Sequence, residues 1–430
     1  MEKKYIGELE KFVGKEIILA GWCYDVRILG NLNFLILRDK DGIVQVTAKK
    51  GEVDEKIIET IKKLHQEDTV LVKGKVLKSK IAKTKFEIIP RKIKILSRAK
   101  VPLPIDPREV TKANLDTRLD NRLLDLRTLT SRAIFKIQAK IVDAFRNFLT
   151  SRGYVEIQPP VIISSASEGG AELFSLPYFE KKAFLAQSPQ LYKQICALAF
   201  EKVFCIIPVF RAEKFDQPTH LNEIRQMDVE QAFSTDEDVM KVLEECFVFI
   251  LKKVSKECKE ELEILNQKID ILKLPLKRIP YNKAIEILEK SGEEIKYGDD
   301  FTKVQEKKLG EVLSEEAFFV TEWPEELKPF YAMPYEKNPK IVRAFDLIYK
   351  GLEISSGTQR IHDPELLIKR IKEKGLNPKD FEFYLDCFRY GSVEHAGWSI
   401  GLERLTMMIT GRNNIREATL FPRDRKRIFP

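Results

Sequence analysis

The sequence predicts an α+β protein in which a small β-rich domain precedes a larger domain of mixed helices and strands. Between Glu16 and about Ser97, five short apolar strands and one helix follow one another. A proline-rich connector begins at Val101, and long amphipathic helices alternate with strands beyond it. We therefore expect a first domain at residues 1–100, a hinge at 101–130 and a second domain at 131–430, with a small inserted subdomain at 281–338.

Composition limits the classes of protein that the chain can belong to. Its 430 residues are 43% hydrophobic and 33% charged, which indicates a folded protein and excludes a disordered one. The N-terminus has no apolar signal region and no segment is long enough to cross a bilayer, so we expect a cytoplasmic protein. The six cysteines form no CxxC pair, which predicts neither a zinc site nor a disulfide framework. The net charge of +8 is compatible with an anionic partner without establishing one.

The first domain has the strand pattern of an oligonucleotide-binding (OB) barrel. Its strands surround a DKDG turn at Asp39 to Gly42, and the helix is predicted at about 53–65. Such barrels stack single-stranded bases on aromatic side chains within a basic groove. Four residues are placed for that role: Tyr24, Arg27, Phe34 and Gln45. By composition alone, Phe34 is better explained as a core residue.

The stretch from Val203 to Phe233 is the most informative part of the second domain. An apolar strand ends in Arg211 and Glu213, and a returning strand places Gln226, Asp228 and Glu230 on one face. Met227, Val229 and Phe233 are expected on the opposite, buried face. A solvated antiparallel sheet would also alternate in this way. Because the incoming strand is almost wholly apolar, we expect its terminal charges to line a cleft.

Helices on either side of this stretch carry further polar groups. Thr130 is a predicted N-cap for a helix that extends to Leu149. In AQSPQLYKQ, Ser188 and Pro189 are expected to begin a helix that presents Gln190, Lys193 and Gln194 on one face. A lysine in the first turn is disfavoured by roughly 0.3–1 kcal/mol, which suggests a functional role for Lys193.

Two acids near the C-terminus form a candidate metal site. Asp346 and Glu353 lie on strands joined at Lys350 and Gly351, and a hairpin there would bring them together. Carboxylates without a neighbouring histidine or cysteine suit Mg²⁺ bound to phosphates, although surface acids are the commoner explanation. Beyond them, HAGWSIGLERL reads as a strand that runs into a helix with Arg404 in its first turn.

Several of these segments resemble the class II aminoacyl-tRNA synthetases. FRAE with HLNE and MDVE is similar to motif 2, HAGWSIGLERL to motif 3 and YVEIQPPVI to motif 1. QSPQLYKQ resembles the aspartyl branch of archaeal and eukaryotic type. The GW and LGN-x-FLILRD-x-x-GIVQV segments resemble the anticodon-binding domain of the aspartyl, asparaginyl and lysyl enzymes.

The resemblance implies a fold, an activity and a set of partners. The fold is an OB-fold anticodon-binding domain followed by a catalytic domain with an antiparallel sheet flanked by helices. The activity is that of an aspartate–tRNA ligase, which uses ATP and Mg²⁺ to activate L-aspartate and transfers it to tRNA-Asp, with tRNA-Asn left open as a second acceptor. Pro160 in motif 1 implies a homodimer.

The resemblance also assigns roles to individual residues. The catalytic set is Arg211, Glu213 and Arg404. The ATP-binding set is Arg211, Glu213, His220, Leu221, Glu353, Gly401 and Arg404. The aspartate-binding set is Glu168, Gln190, Lys193, Arg211, Asp228, Ser356 and Arg360. The metal ligands are Asp346, Glu353 and Ser356. The anticodon set is Tyr24, Arg27, Phe34, Gln45 and Lys83.

Two other functions are compatible with the same motifs. One is an asparaginyl-tRNA synthetase, which the RYGSV segment before His395 favours. The other is a catalytically silent paralogue that only binds RNA, against which the retained Arg211, Asp346, Glu353 and Arg404 argue. The chain departs from the usual motif 2 at Thr219, where an arginine often precedes the histidine, so the residues that contact the γ-phosphate stay open.

Overall fold

The computed structural model describes residues 2–79, 85–164, 173–214 and 217–430, and it divides into two compact units, residues 1–128 and 129–430. Lys83 and Glu168 lie outside the described residues. Each unit has its own hydrophobic core.

The first unit is built on a closed five-stranded barrel, as the sequence predicts, within its described residues. Its elements are β1 (Glu16–Leu29), β2 (Leu32–Arg38), β3 (Ile43–Lys49), α1 (Glu55–Lys62), β4 (Thr69–Lys78), β5 (Phe86–Ser97), α2 (Leu115–Asp120) and α3 (Arg122–Asp125). The strands pair in the order β1-β2-β3-β5-β4, and alternate residues of each strand fill the interior. The Asp39 carboxylate accepts hydrogen bonds from the N–H groups of Asp41 and Gly42, which fixes the predicted turn.

The second unit is organised around a nine-stranded sheet in its described part. Its strands and those of a small neighbouring sheet are β6 (Val155–Glu156), β7 (Ile162–Ile163), β8 (Ser175–Tyr178), β9 (Lys181–Leu185), β10 (Lys202–Phe210), β11 (Glu223–Ala232), β12 (Lys277–Pro280), β13 (Ala317–Pro324), β14 (Pro334–Tyr335), β15 (Asn338–Tyr349), β16 (Leu352–Gln359) and β17 (His395–Gly401). The order of the main sheet is β12-β13-β15-β16-β17-β11-β10-β6, with β14 paired to β15.

The expected antiparallel sheet is present in the centre, but the complete sheet is mixed. The six strands from β13 to β10 in the sheet order are antiparallel to their neighbours. At the two edges, β12 pairs with β13 and β6 pairs with β10 in the parallel direction. The α+β fold class is therefore confirmed, and the purely antiparallel description is corrected at the edges.

Nine helices flank this sheet in the described part of the second unit. They are α4 (Leu129–Thr150), α5 (Gln190–Phe200), α6 (Asp236–Glu257), α7 (Lys259–Ile264), α8 (Tyr281–Lys290), α9 (Lys303–Leu313), α10 (Pro364–Glu373), α11 (Glu382–Arg389) and α12 (Leu402–Thr410). The main core places residues of α4, α6 and α12 against the central strands; Phe145 packs edge-on against Phe204 and Trp398.

Three local predictions differ from the structure. The amphipathic pattern from Asp236 to about Leu265 predicts one long helix, but the structure interrupts it at Cys258, whose φ of −118° is not helical. The helix expected to begin at Ser188 and Pro189 begins at Gln190, although the Ser188 hydroxyl still accepts a hydrogen bond from the Gln190 N–H. Phe233 follows the end of β11 and is 69% exposed, so it does not belong to the buried face.

All six cysteines are free thiols. Among the described residues, no helix is both long enough and apolar enough to cross a membrane.

Candidate active site

Two adjoining cavities lie over the central strands of the second unit. The first cavity has a volume of about 140 Å³ and the second of about 210 Å³. They are joined because the same five side chains line both of them: Arg211, Gln226, Glu353, Ser356 and Ser399. We call the place that these five residues define the junction.

The first cavity contains every residue of the predicted ATP-binding set. These are Arg211, Glu213, His220, Leu221, Glu353, Gly401 and Arg404. Arg211 and Glu213 lie immediately after β10, and their loop is held by Asn222, whose side-chain amide donates to the carbonyls of both residues at 2.7 and 3.0 Å. No carboxylate pairs with the Arg211 guanidinium in the described part of the chain, so it is available to an anionic ligand at the junction.

The electrostatics of the first cavity suit a polyanion. Burial and the neighbouring charges of Arg404, Lys303 and Arg211 lower the pKa of His220 to about 4, so this imidazole is neutral near pH 7. Arg404 donates to the carbonyl of Glu353 at 3.1 Å, and its distance to the Glu353 carboxylate is a longer 3.7 Å. The cavity therefore combines two guanidinium groups with an uncharged imidazole.

The second cavity is built on a buried network of four charged side chains. Lys193 on α5 donates to Asp228 at 2.8 Å and lies 3.5 Å from Glu230. Arg360, just after β16, donates to both oxygens of Glu230 at 2.8 and 3.1 Å. All four residues are at most 2% exposed. Burial alone would raise the pKa of Glu230, but Arg360 and Lys193 outweigh it and keep that pKa below its ordinary value.

This network corrects one step of the argument from sequence. From sequence alone, Lys193 and Arg360 in the aspartate-binding set are two cations that face the substrate, whereas in the structure each already has a carboxylate partner in the protein. Their remaining donors are still available. The contacts of the Lys193 ammonium to the carbonyls of Val229 and Trp398 are 3.5 and 3.4 Å long, so they hold its other protons loosely. Glu230 occupies only Nε and Nη2 of Arg360.

The predicted aspartate-binding residues converge on the second cavity. Gln190, Lys193, Arg211, Asp228, Ser356 and Arg360 all line it. The Gln190 side chain is fixed because its Nε2 donates to Gln194 Oε1 at 2.8 Å. The hydroxyl of Tyr384 donates to the same oxygen at 3.0 Å.

The candidate metal ligands lie at the edge of the junction. Asp346 and Ser356 are directly paired across β15 and β16, and Glu353 is the second residue of β16. Asp346 Oδ2 accepts from Lys328 at 2.6 Å, while its Oδ1 is buried without a hydrogen-bond partner among the described residues. Burial and the neighbouring Asp346 raise the pKa of Glu353.

These oxygens fit a magnesium ion that also binds phosphate. The described residues contain no group of three histidine, cysteine or carboxylate side chains poised to hold a metal unaided. A buried carboxylate oxygen without a partner nevertheless favours a cation, and Mg²⁺ takes its remaining ligands from substrate phosphates and water.

Four of the predicted anticodon residues, Tyr24, Arg27, Phe34 and Gln45, lie within the described part of the barrel. Arg27 and Phe34 are paired across β1 and β2, while Phe34 and Gln45 face outward on neighbouring strands. Phe34 is half-buried and lies outside the barrel core. Gln45 Nε2 donates to Thr47 at 3.1 Å, and Tyr24 is half-buried beside the Arg38 guanidinium.

Sequence patterns alone do not single out two residues that the structure brings into this site, Lys328 and Ser399. Lys328, in a segment without a clear motif, lines the second cavity and pairs with Asp346. Ser399 follows a buried tryptophan and lines the junction. Glu230 belongs to the alternating face of β11, but only the structure shows that it neutralises Arg360. A glycine is needed at Gly397, because a Cβ on this residue would lie 2.1 Å from Oε2 of Glu230.

Comparison with known proteins supports a single family. Residues 114–425 match the tRNA synthetases class II (D, K and N), and residues 17–96 match the OB-fold nucleic acid binding domain. The aspartate–tRNA(Asp/Asn) ligase of Methanocaldococcus jannaschii is 47% identical and covers 97% of this chain and 95% of its own. The aspartate–tRNA(Asp) ligase of Pyrococcus furiosus is 49% identical and covers 98% of both chains.

Solved structures of both amino-acid specificities share the fold. The asparaginyl-tRNA synthetase of Pyrococcus horikoshii, in complex with asparaginyl-adenylate, superimposes with a TM-score of 0.95 at 36% identity and covers both chains completely. The aspartyl-tRNA synthetase of Entamoeba histolytica gives a TM-score of 0.87 at 36% identity and covers 100% of this chain and 93% of its own. The fold itself therefore does not separate the two specificities.

Proposed function

The chain belongs to the class II tRNA synthetases of the D, K and N group, and we infer that within this group it is an aspartate–tRNA ligase. Relatives named as aspartate–tRNA ligases are 47–49% identical over nearly the whole chain. The reaction activates L-aspartate with ATP and transfers the aspartyl group to tRNA-Asp.

The cationic donors of the second cavity are the observation that carries the choice of aspartate. Of the described residues that line it, four are cationic (Lys193, Arg211, Lys328 and Arg360) and two are acidic (Asp228 and Glu353). Glu230 and Asp346, which lie outside this lining, pair with Arg360 and Lys328 and offset the excess. The choice therefore rests on the charge-assisted donors that Lys193 and Arg360 still present to the cavity, which a side-chain carboxylate accepts better than a neutral amide does. Lys193 and Arg360 bind the side-chain carboxylate, and Asp228 binds the amino group together with Glu168.

The junction is where the two substrates react. The α-carboxylate oxygen of aspartate attacks the α-phosphorus of ATP, the bond to the bridging oxygen breaks, and pyrophosphate leaves with the electron pair. Arg211 reaches both cavities, so its guanidinium can bind the α-phosphate and stabilise the charge that develops on it. Positioning and charge stabilisation are sufficient because no protein nucleophile is required.

The remaining residues of the first cavity hold the rest of ATP. Arg404 contacts the adenine and the terminal phosphates, and Glu213, His220, Leu221 and Gly401 complete the nucleotide site. Asp346, Glu353 and Ser356 would hold Mg²⁺, which supplies charge neutralisation to the phosphates when it is bound. The orphaned Oδ1 of Asp346 supports this assignment.

The barrel binds the anticodon of the tRNA. Phe34 stacks on a base, Gln45 contacts a base edge, and Tyr24, Arg27 and Lys83 complete the surface. The relatives are named either for tRNA-Asp alone or for both tRNA-Asp and tRNA-Asn. Charging of transcripts of both tRNAs decides between these two specificities.

We also propose a cytoplasmic homodimer that forms through the segment around Pro160. This segment carries exposed apolar side chains at Val155 and Ile162, which are 43% and 45% exposed. Sedimentation velocity is expected to give a dimer of about twice the 49.9 kDa chain mass, and a monomer would contradict the proposal.

Amino-acid-dependent ATP–pyrophosphate exchange tests the function. Aspartate is expected to support rapid exchange and asparagine to support little. Equal exchange with asparagine would replace this assignment by the asparaginyl one, and no exchange with either would favour the silent paralogue.

A further inference from the structure

Helix α9 is fixed against the wall of the first cavity. The Glu306 carboxylate accepts a hydrogen bond from the Glu353 N–H at 3.1 Å. A Cβ on Gly351 would lie 2.8 Å from the Cα of Lys307, so the hairpin turn and the helix are in close contact. A capping box between Thr302 and Gln305 orders the first turn of the helix. The start of α9 is thereby held beside the residues that line the cavity.

Lys303 lies one turn before Glu306 and on the same face of α9. It is half-buried, and it forms no ion pair or hydrogen bond with the residues that the structure describes. Burial and the charge of Arg404 lower the pKa of Lys303, and the charge of Lys303 in turn contributes to the lowered pKa of His220. Lys303 does not itself line the first cavity, but it lies one helical turn from Glu306, which is bonded to the wall residue Glu353, and its charge acts on Arg404 and His220, which line the cavity.

This arrangement is unfavourable without a ligand. Two cations are held near each other, and a lysine in the first turn opposes the helix dipole. The nearest acidic groups offset these costs only in part: the Arg404 guanidinium is 3.7 Å from the Glu353 carboxylate, and the charge of Glu306 does not outweigh the burial and the charge of Arg404 that lower the pKa of Lys303. An anion with several charges would reduce both the repulsion between the two cations and the unfavourable interaction of Lys303 with the helix dipole.

We propose that Lys303 binds the terminal phosphates of ATP and the pyrophosphate that leaves. Arg211 at the junction takes the α-phosphate, so the β- and γ-phosphates must extend along the first cavity, toward Arg404 and Lys303. The segment at 281–338 thus contributes a phosphate-binding residue to the reaction. This inference rests on the proposed function.

Substitution of Lys303 tests the proposal. In aspartate-dependent exchange, Lys303→Met is expected to raise the KM for ATP and the KM for pyrophosphate about tenfold or more, while Lys303→Arg restores both to within about threefold. The matched control is Lys307→Met on the same helix, which removes an exposed charge and keeps the stem that packs on Gly351. It is expected to change either KM by less than about twofold.

A second measurement separates phosphate binding from a structural role of α9. In a single turnover, the transfer of the aspartyl group from enzyme-bound aspartyl-adenylate to tRNA takes place after pyrophosphate has left, so Lys303→Met should leave its rate unchanged. An unchanged KM for pyrophosphate, or an equal loss in the transfer step, would overturn the role of Lys303. Absence of exchange in the unmodified enzyme would instead overturn the proposed function.

Discussion

Replacement of Lys193 by methionine is the most informative perturbation of the amino-acid site. The substitution keeps the length of the side chain and removes a cation that lies 2.8 Å from Asp228 and 3.5 Å from Glu230. Because these groups are almost fully buried, loss of one partner leaves uncompensated negative charge, which costs about 3–5 kcal/mol of folding free energy. Arg360 still neutralises Glu230, so we expect the lower end of that range.

The effect on specificity follows from the donors that Lys193 provides. A charge-assisted hydrogen bond contributes about 1.5–3 kcal/mol, and about 1.4 kcal/mol corresponds to a tenfold change. The ratio of kcat/KM for aspartate to kcat/KM for asparagine should therefore fall about 10- to 100-fold in Lys193→Met. Pyrophosphate exchange measures this ratio, and the ratio is independent of the folded fraction because both substrates are activated by the same molecules.

The control is Lys283→Met on α8, which removes an exposed ion pair with Glu286. It should change the ratio negligibly and the stability by less than about 1 kcal/mol. A folded Lys193→Met enzyme with the preference of the unmodified one would refute the reasoning.

Three further perturbations test other parts of the molecule. Phe34→Ala should weaken tRNA charging by about 1–3 kcal/mol in kcat/KM for tRNA and leave pyrophosphate exchange unchanged; loss of both activities would show that Phe34 supports the fold. Asp346→Asn should raise the Mg²⁺ concentration required for half-maximal exchange, as a magnesium titration measures, and an unchanged requirement would exclude Asp346 as a ligand. Glu403→Gln should stabilise the protein above neutral pH, because burial raises the pKa of Glu403 to about 7 from 4.5. Between pH 4.5 and 7 the native state holds a proton that the unfolded state has released, so the free energy of unfolding of the unmodified protein falls as the pH rises through this range. The difference in free energy of unfolding between the variant and the unmodified protein, measured in urea, should therefore grow by about 3 kcal/mol between pH 4.5 and pH 8.

The parts of the fold that sequence predicts best are those with strong local patterns. The five barrel strands alternate cleanly, and the Lys350–Gly351 turn needs positive φ at both residues, which are 49° and 76°. The boundaries of helices are less predictable from the sequence. Cys258 interrupts a continuous amphipathic pattern because tertiary packing, which no local pattern reports, determines where that helix ends.

The pairings within the charged network of the site could not be predicted from the sequence. Lys193 and Arg360 can be found from their positions in motifs, but their pairing with Asp228 and Glu230 depends on the packing of α5 against β11 and on the register of β11, β17 and β16. Lys303 and Lys328 come from a segment without a recognisable pattern and reach the site only through tertiary contacts. Long-range pairing of this kind is not encoded in periodicity.

The central claim is that this enzyme esterifies aspartate, and a competition assay tests it most directly. The unmodified enzyme is incubated with ATP, tRNA-Asp transcript and equal concentrations of aspartate and asparagine, and the amino acid on the tRNA is identified by mass spectrometry. The cationic donors of the second cavity predict aspartyl-tRNA almost exclusively. Asparaginyl-tRNA as the main product, or an equal mixture of the two, would contradict the account.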